Sequence, residues 1–454
     1  MTEGMRQISE TARGDASGAM TAESRGFPRV LFVTTFAFNT MNGGGVTFSN
    51  LFRGWPKDRL ATVHNDPLPT SDDVCNLYFR LGPDELRRWG PLEWLAPSHR
   101  AGGTGAAASD AAAPVSRSVA QRIRAQVFGS GVPETARLSP ALEQFIAAFR
   151  PELIYTTLGG QGMVDLVEAI RARFPLPVVV HLMDDWRDTI YGDGWLSGWQ
   201  RDRLNRKIAK LMRVASARMG ICTEMVERLA RDFGLPFTAF QNCVDAARLS
   251  AFARGDIVPG AQPRMVYAGS LLPFAQAEAV VEAATAVAAL AGHGVDIRFD
   301  IFAPPGSVAP YRDRLALGPA VRVLPLFERW EDYYRNIVDA DILLLPVNFD
   351  ATTLRFIRYS MPTKIPEYLM SGTPVLVYGP EGVAQVDYAR REGWGHVVSQ
   401  QGVASLASGI RELLTDQALR KRVTTRGRAL AMERHEATKV RAEFQNTLKA
   451  AAET

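Results

Sequence analysis

Short apolar runs alternate with amphipathic stretches along almost the whole chain. Residues 29–34, Arg29-Val-Leu-Phe-Val-Thr34, form a run of the kind that a strand buried on both faces requires. Asn42-Gly-Gly-Gly45 follows, and then a helical pattern over residues 46–55. Strand, glycine-rich loop and helix open a βαβ unit. The same reading predicts helices at 138–149, 163–174, 195–217 and 223–233, with Thr223 as a cap for the last. It predicts strands at 153–156, 177–181, 219–222 and 237–241 between and after them.

The pattern then breaks. Asn242-Cys-Val-Asp245 and a Pro/Gly-rich stretch to Pro263 suit a connection between domains. A second series begins with strand 264–268, helix 276–291 and strands 296–302 and 321–324. Helix 330–340 and strands 341–345 and 374–378 follow, then helix 404–415 and a basic helical stretch over about 418–451. Two successive series of β/α alternation predict two doubly wound α/β domains facing across a cleft. The expected division is a polar, disordered tail to residue 26, a first domain over 27–250 and a linker over 251–262. A second domain covers 263–433, and a C-terminal helical segment, 434–454, completes the chain. Residues 101–118, rich in glycine and alanine, read as a flexible loop within the first domain.

Composition narrows the function classes. At 454 residues the chain exceeds one core, which agrees with the doubled pattern. The net charge of +4 is too small to argue for nucleic acid, and no basic run interleaved with aromatics occurs. Cys75, Cys222 and Cys243 are scattered without metal-ligand spacing, and the six histidines include no H-E-x-x-H pattern. Neither a metal nor a cofactor is expected, and the cysteine usage fits a reducing cytoplasm. No apolar run approaches the ~20 residues that span a bilayer.

The most informative stretch is Tyr359-Ser-Met-Pro-Thr-Lys-Ile-Pro-Glu-Tyr-Leu-Met-Ser-Gly-Thr-Pro-Val375. A polar loop runs into a short helix carrying Lys364 and Glu367, which ends at Gly372 before a buried-type strand. Unpaired N–H groups and the positive dipole end favour phosphate at such a helix start. A carboxylate one turn further in can hold sugar hydroxyls. Two other places carry candidate chemistry. Gly43, Gly44 and Gly45 allow close approach of backbone to a ligand, although tight turns collect glycines too. His181-Leu-Met-Asp-Asp-Trp-Arg-Asp188 follows a valine-rich strand, where doubly wound folds place ligands. The plainer alternative there is a histidine satisfied by a backbone carbonyl, with the aspartates capping the next helix.

Taken in order, these segments resemble those of family 4-like GT-B glycosyltransferases. Phe240-Gln-Asn-Cys-Val-Asp245 is similar to the segment that ends the family's first domain, and Tyr267-Ala-Gly-Ser270 to the loop that opens its second. The resemblance implies retaining transfer of a sugar from a nucleoside diphosphate sugar to a hydroxyl of a glycan or lipid-linked acceptor. It implies a place in cell-surface polysaccharide synthesis. His181 and either Asp184 or Asp185 would contact the sugar or the acceptor. Gly44, Gly45, Gly269, Ser270, Ser360 and Thr363 would lie along the donor. Phe327 would wall the base, and Glu367 would hold the ribose. The last helix would cross back to the first domain.

The chain departs from the family where diphosphate is usually held. Members carry an arginine just after the second domain's first glycine and a lysine about five residues on, and here neither is present. A first glutamate of the donor motif is replaced by Tyr359. Arg355, Arg358 and Lys364 are the cations placed to compensate. Two other readings stay open: an epimerase or hydrolase on the same fold, and a non-catalytic partner protein. The basic stretches 201–218 and 420–441 read as solvated faces, or as a peripheral contact with an anionic membrane.

Overall fold

The computed structural model describes residues 26–88, 134–190, 194–250, 252 and 258–454. Of the expected tail to residue 26 only Gly26 is among these residues, and the loop 101–118 lies outside them, as does most of 251–257.

The first sheet contains β1 (Val30–Val33), β2 (Leu60–His64), β3 (Leu77–Arg80), β6 (Leu153–Thr156), β7 (Val178–Leu182), β8 (Ala217–Gly220) and β9 (Thr238–Ala239). A two-stranded antiparallel ribbon, β4 (Leu86–Arg88) with β5 (Glu134–Ala136), stands apart. The order β3-β2-β1-β6-β7-β8-β9 is parallel throughout. The second sheet has β10 (Arg264–Ala268), β11 (Arg298–Phe302), β12 (Val321–Leu324), β13 (Ile342–Pro346), β14 (Val375–Tyr378) and β15 (His396–Val398). Its order, β12-β11-β10-β13-β14-β15, is also parallel. Both orders reverse direction beside their first strand, between β1 and β6 and between β10 and β13. Such reversal points open a crevice outside the strands' C-terminal ends.

The central strands are buried along their length, from Val30–Val33 to Ile342–Pro346. Helices cover both faces, which is why these strands read as continuous apolar runs rather than alternating ones. Among the described residues no helix is long and apolar enough to cross a membrane.

Several elements differ from the sequence reading. Strands β2 and β3 and the β4–β5 ribbon were not expected. The basic helix is Ser197–Val214, two residues shorter at its start and three at its end. A helix Ala351–Ile357, capped by Asp350 through a 2.9 Å bond from the Thr353 N–H, precedes the donor-like segment. The basic C-terminal stretch is two helices, Gln417–Arg434 and Ala437–Ala452, broken at His435 and Glu436.

That break is where the chain returns to the first sheet. The Val244 N–H donates to the His435 carbonyl at 2.8 Å, and the Ala437 N–H to the Val244 carbonyl at 2.9 Å. The His435 imidazole is buried and bonded to the Tyr388 hydroxyl at 2.9 Å. Beyond it, Phe444 packs on Phe52, Tyr155 and Phe240. The outward and return crossings therefore run side by side and are joined by main chain.

Candidate functional site

The segment 359–375 lies against both halves. The Ser360 hydroxyl bonds to Asp184 Oδ1 at 2.6 Å. The Asn242 amide donates to the Thr363 carbonyl at 2.7 Å, and Cys222 Sγ meets the Tyr359 carbonyl at 3.5 Å. Gly43 closes the same contact from the other side, since a Cβ there would stand 3.3 Å from Thr363 Cγ2. The helix Ile365–Ser371 follows, with Lys364 at its N-cap position and Gly372, at φ 73°, as the left-handed stop.

Lys364 does not point into solvent. Its ammonium donates to the Ala268 carbonyl at 2.6 Å and sits 4.5 Å from the centroid of the Tyr267 ring. Gly269 is extended into the region that favours glycine, at φ 152°, and a Cβ there would come 2.8 Å from Lys364 Nζ. A cation thus stands beside Gly269 in space, delivered from another segment. Burial pulls the Lys364 ammonium down to about 8, and the Glu367 charge only partly opposes this. The Ser270 carbonyl is held by the Tyr267 hydroxyl at 2.7 Å and the Gln276 amide at 2.5 Å.

One turn beyond Lys364, Glu367 Oε2 accepts from the Tyr333 hydroxyl at 2.9 Å. Burial pushes this carboxyl up, against the lowering by Tyr333, Trp330 and Lys364. Phe327 packs on Phe302, at the end of β11, with centroids 4.2 Å apart, and lies 5.9 Å from Tyr333. An aromatic wall, a carboxylate and a cation thus line the C-terminal ends of β10, β11 and β12. Arg355 and Arg358 are exposed, in and just after the helix Ala351–Ile357, which leans on the helix Trp186–Thr189 of the first half.

On the first half's side, the glycines do different jobs. A Cβ on Gly44 would strike the Phe36 ring at 2.9 Å, and one on Gly45 the Asn39 side-chain amide oxygen, Oδ1, at 2.5 Å. Their close approach is to this local packing, while Gly43 faces the second half. Asp66 stiffens the loop by accepting from the Ala37 N–H at 3.2 Å and the Asn42 amide at 3.1 Å. Asn42 in turn caps the helix Gly43–Phe52 at the Gly45 N–H.

His181 lies inside β7 with no exposed surface, behind Phe48 and bonded through Nδ1 to the Tyr155 hydroxyl at 2.6 Å. Burial drops its pKa to about 3, so the ring is neutral throughout the physiological range. Of Asp184 and Asp185, the one on the cleft side is Asp184, whose carboxyl burial raises and Ser360 lowers. Asp185 instead pairs with the buried Arg187 at 3.5 Å. The choice between the two aspartates was open in the sequence; Asp184 is the one that meets the donor-like segment.

Asn242, Tyr267 and Tyr333 belong to the site and were not singled out as site residues. Asn242 reads as a turn residue in sequence. Nothing in the spacing marks either tyrosine.

No family model and no curated protein matches the sequence. Solved structures do. The chain superposes on HepE of Anabaena, solved with UDP and glucose, with a TM-score of 0.58 over 93% of this chain and 99% of that one. It is similar to a sucrose-phosphate synthase of Thermosynechococcus elongatus at TM-score 0.57, covering 91% and 97%. It is similar to a trehalose 6-phosphate synthase of Burkholderia multivorans at 0.59, covering 94% and 97%. Together with the two reversed parallel sheets, this decides the architecture. The chain has the GT-B fold. Identities are 13%, 12% and 13% respectively, so the likeness is one of fold. Which reaction a GT-B chain performs depends on its site.

Proposed function

We propose that this GT-B chain is a glycosyltransferase that moves a sugar from a nucleoside diphosphate sugar to a hydroxyl acceptor. The observation that carries the reading is the meeting of Lys364 with the Gly269 loop, one turn from Glu367 and beside Phe327. Lys364 would neutralise the diphosphate, Glu367 would orient the ribose and Phe327 would wall the base. That HepE was solved with UDP and with UDP-glucose supports the donor class.

The departing diphosphate is where most charge develops in such a transfer. Lys364 is already fixed by the Ala268 carbonyl and the Tyr267 ring, so little reorganisation is needed when charge appears. Arg355 and Arg358 add positive potential at the rim, and the N–H groups near Thr363 complete the phosphate contacts. Ser360 and Asp184 span the cleft, and closure there would exclude water as a competing acceptor. His181, neutral and buried, acts by holding Tyr155 and β7 beneath Asp184. Retention at the anomeric carbon, a glycan or lipid-linked acceptor and a role in cell-surface polysaccharide rest on the family resemblance of residues 360–375.

The test is a thermal-shift screen against nucleoside diphosphate sugars, followed by product analysis with the best donor. Sugar transferred to an alcohol acceptor is the expected product. Free sugar alone, or an epimerised donor, would replace this reading with hydrolysis or epimerisation.

A further inference from the structure

Outside the cleft, one helix carries an unusual surface. Trp195, Leu196 and Trp199 are 92%, 40% and 57% exposed at the start of the helix Ser197–Val214. Tryptophan this exposed normally has a partner surface. From there an outward stripe continues through Arg203, Arg206, Lys210 and Arg213, all exposed and spaced three or four residues apart. Leu204, Ile208, Leu211 and Met212 occupy the buried face. The helix holds six cations and a single acid, Asp202. Of the cations, Lys207 pairs with Asp165 and Arg201 bonds the Ser197 carbonyl. Among the described residues no carboxylate pairs with the four on the outward stripe. Arg203 lies over the Trp199 ring, at 5.7 Å from its centroid.

We propose that this stripe docks on an anionic bilayer surface. Aromatic side chains settle at the level of the lipid headgroups, and cations along one helix face gain from a negative leaflet. The charge pattern selects this occupant: an ordinary protein interface has few charges at its centre, whereas here the cations run in line behind the aromatics. Placement follows from topology. The chain leaves the C-terminal end of β7, passes the helix Trp186–Thr189 and reaches Trp195, then runs back to begin β8. The aromatic end therefore lies on the cleft side of the first half, and the cationic stripe extends away from it. Docking would hold the cleft mouth at the lipid surface. The inference does not depend on the proposed transfer reaction.

Co-sedimentation of the full chain with phosphatidylcholine vesicles, with and without phosphatidylglycerol, tests it. We expect partitioning to be at least about tenfold stronger on the anionic vesicles and to weaken with added salt. The pair Arg206→Glu/Lys210→Glu should lower it by about tenfold or more. Trp195→Ser/Trp199→Ser should lower it as well. Lys421→Glu/Arg422→Glu, a pair with the same charge change on exposed residues of the helix Gln417–Arg434, should bind as the unmodified chain does. The two variant pairs act at different parts of the helix, so if one fails to fold the other still decides. Equal binding to neutral and anionic vesicles, binding to neither, or an equal loss in the control pair would overturn the proposal. So would self-association that disappears in the tryptophan variant without any vesicle binding, which would assign the face to a second copy.

Discussion

Replacing Lys364 by methionine should raise stability while lowering donor affinity. The ammonium is held in a half-buried place where its pKa is about 8 instead of 10.5. At roughly 1.4 kcal/mol per pH unit, keeping it charged there costs on the order of 3 kcal/mol. Methionine fills the stem's volume without the charge. It also leaves the Ala268 carbonyl without its donor, which returns about 1–2 kcal/mol. A net gain on the order of 1 kcal/mol remains at pH 7. The sign with pH follows from linkage. Between about 8 and 10.5 the unfolded chain holds the Lys364 proton and the folded chain does not, so unmodified protein gains stability as pH rises through that window. The advantage of Lys364→Met should therefore be full below pH 8 and shrink above it. Meanwhile a charge-assisted bond to diphosphate is lost, so nucleotide Kd should rise about 10- to 100-fold. Thermal melts across pH and calorimetric titrations read both effects. A variant that is less stable at neutral pH and binds nucleotide as before would refute the reasoning.

Other substitutions probe the same geometry. Gly269→Ala should strain the backbone at φ 152° and push Lys364 aside; its loss of nucleotide affinity should be less than additive with that of Lys364→Met. Glu367→Gln keeps a partner for Tyr333 but removes the charge, and should raise donor KM about tenfold or more with a smaller change in kcat. Ser360→Ala removes a bond that lowers the Asp184 pKa. Activity that needs ionised Asp184 should then begin to fall at a higher pH on acidification, and small-angle scattering should show a more open chain. Nucleoside diphosphate binding above pH 8 should take up a proton at Lys364, visible as a buffer-dependent heat.

Most strands buried on both faces were legible in the sequence, with β2, buried along its whole length, as the exception. Ile342–Pro346 and Val375–Tyr378 are unbroken apolar runs with the parallel-sheet signature. Edge strands were read unevenly: β12 falls where expected and β9 contracts to two residues of its expected range, whereas β3, exposed at both ends and half-buried between, and β15 left no readable run. The donor-like segment was legible because Lys364 and Glu367 lie one turn apart in a local motif. Its partners were not, because Ala268 and Tyr333 reach it through tertiary packing that no spacing records. His181 shows the limit most plainly. Its strand-end position is readable, but its face of the sheet is fixed by Phe48 and Tyr155, which cover it from other elements.

The central claim is that the crevice between Lys364, Glu367 and Phe327 receives a nucleoside diphosphate. Calorimetric titration of UDP and of GDP into the unmodified protein tests it most directly. The account predicts saturable heat at one site per chain for at least one of the two, sharply weakened by Lys364→Met. No heat from either nucleotide would contradict it.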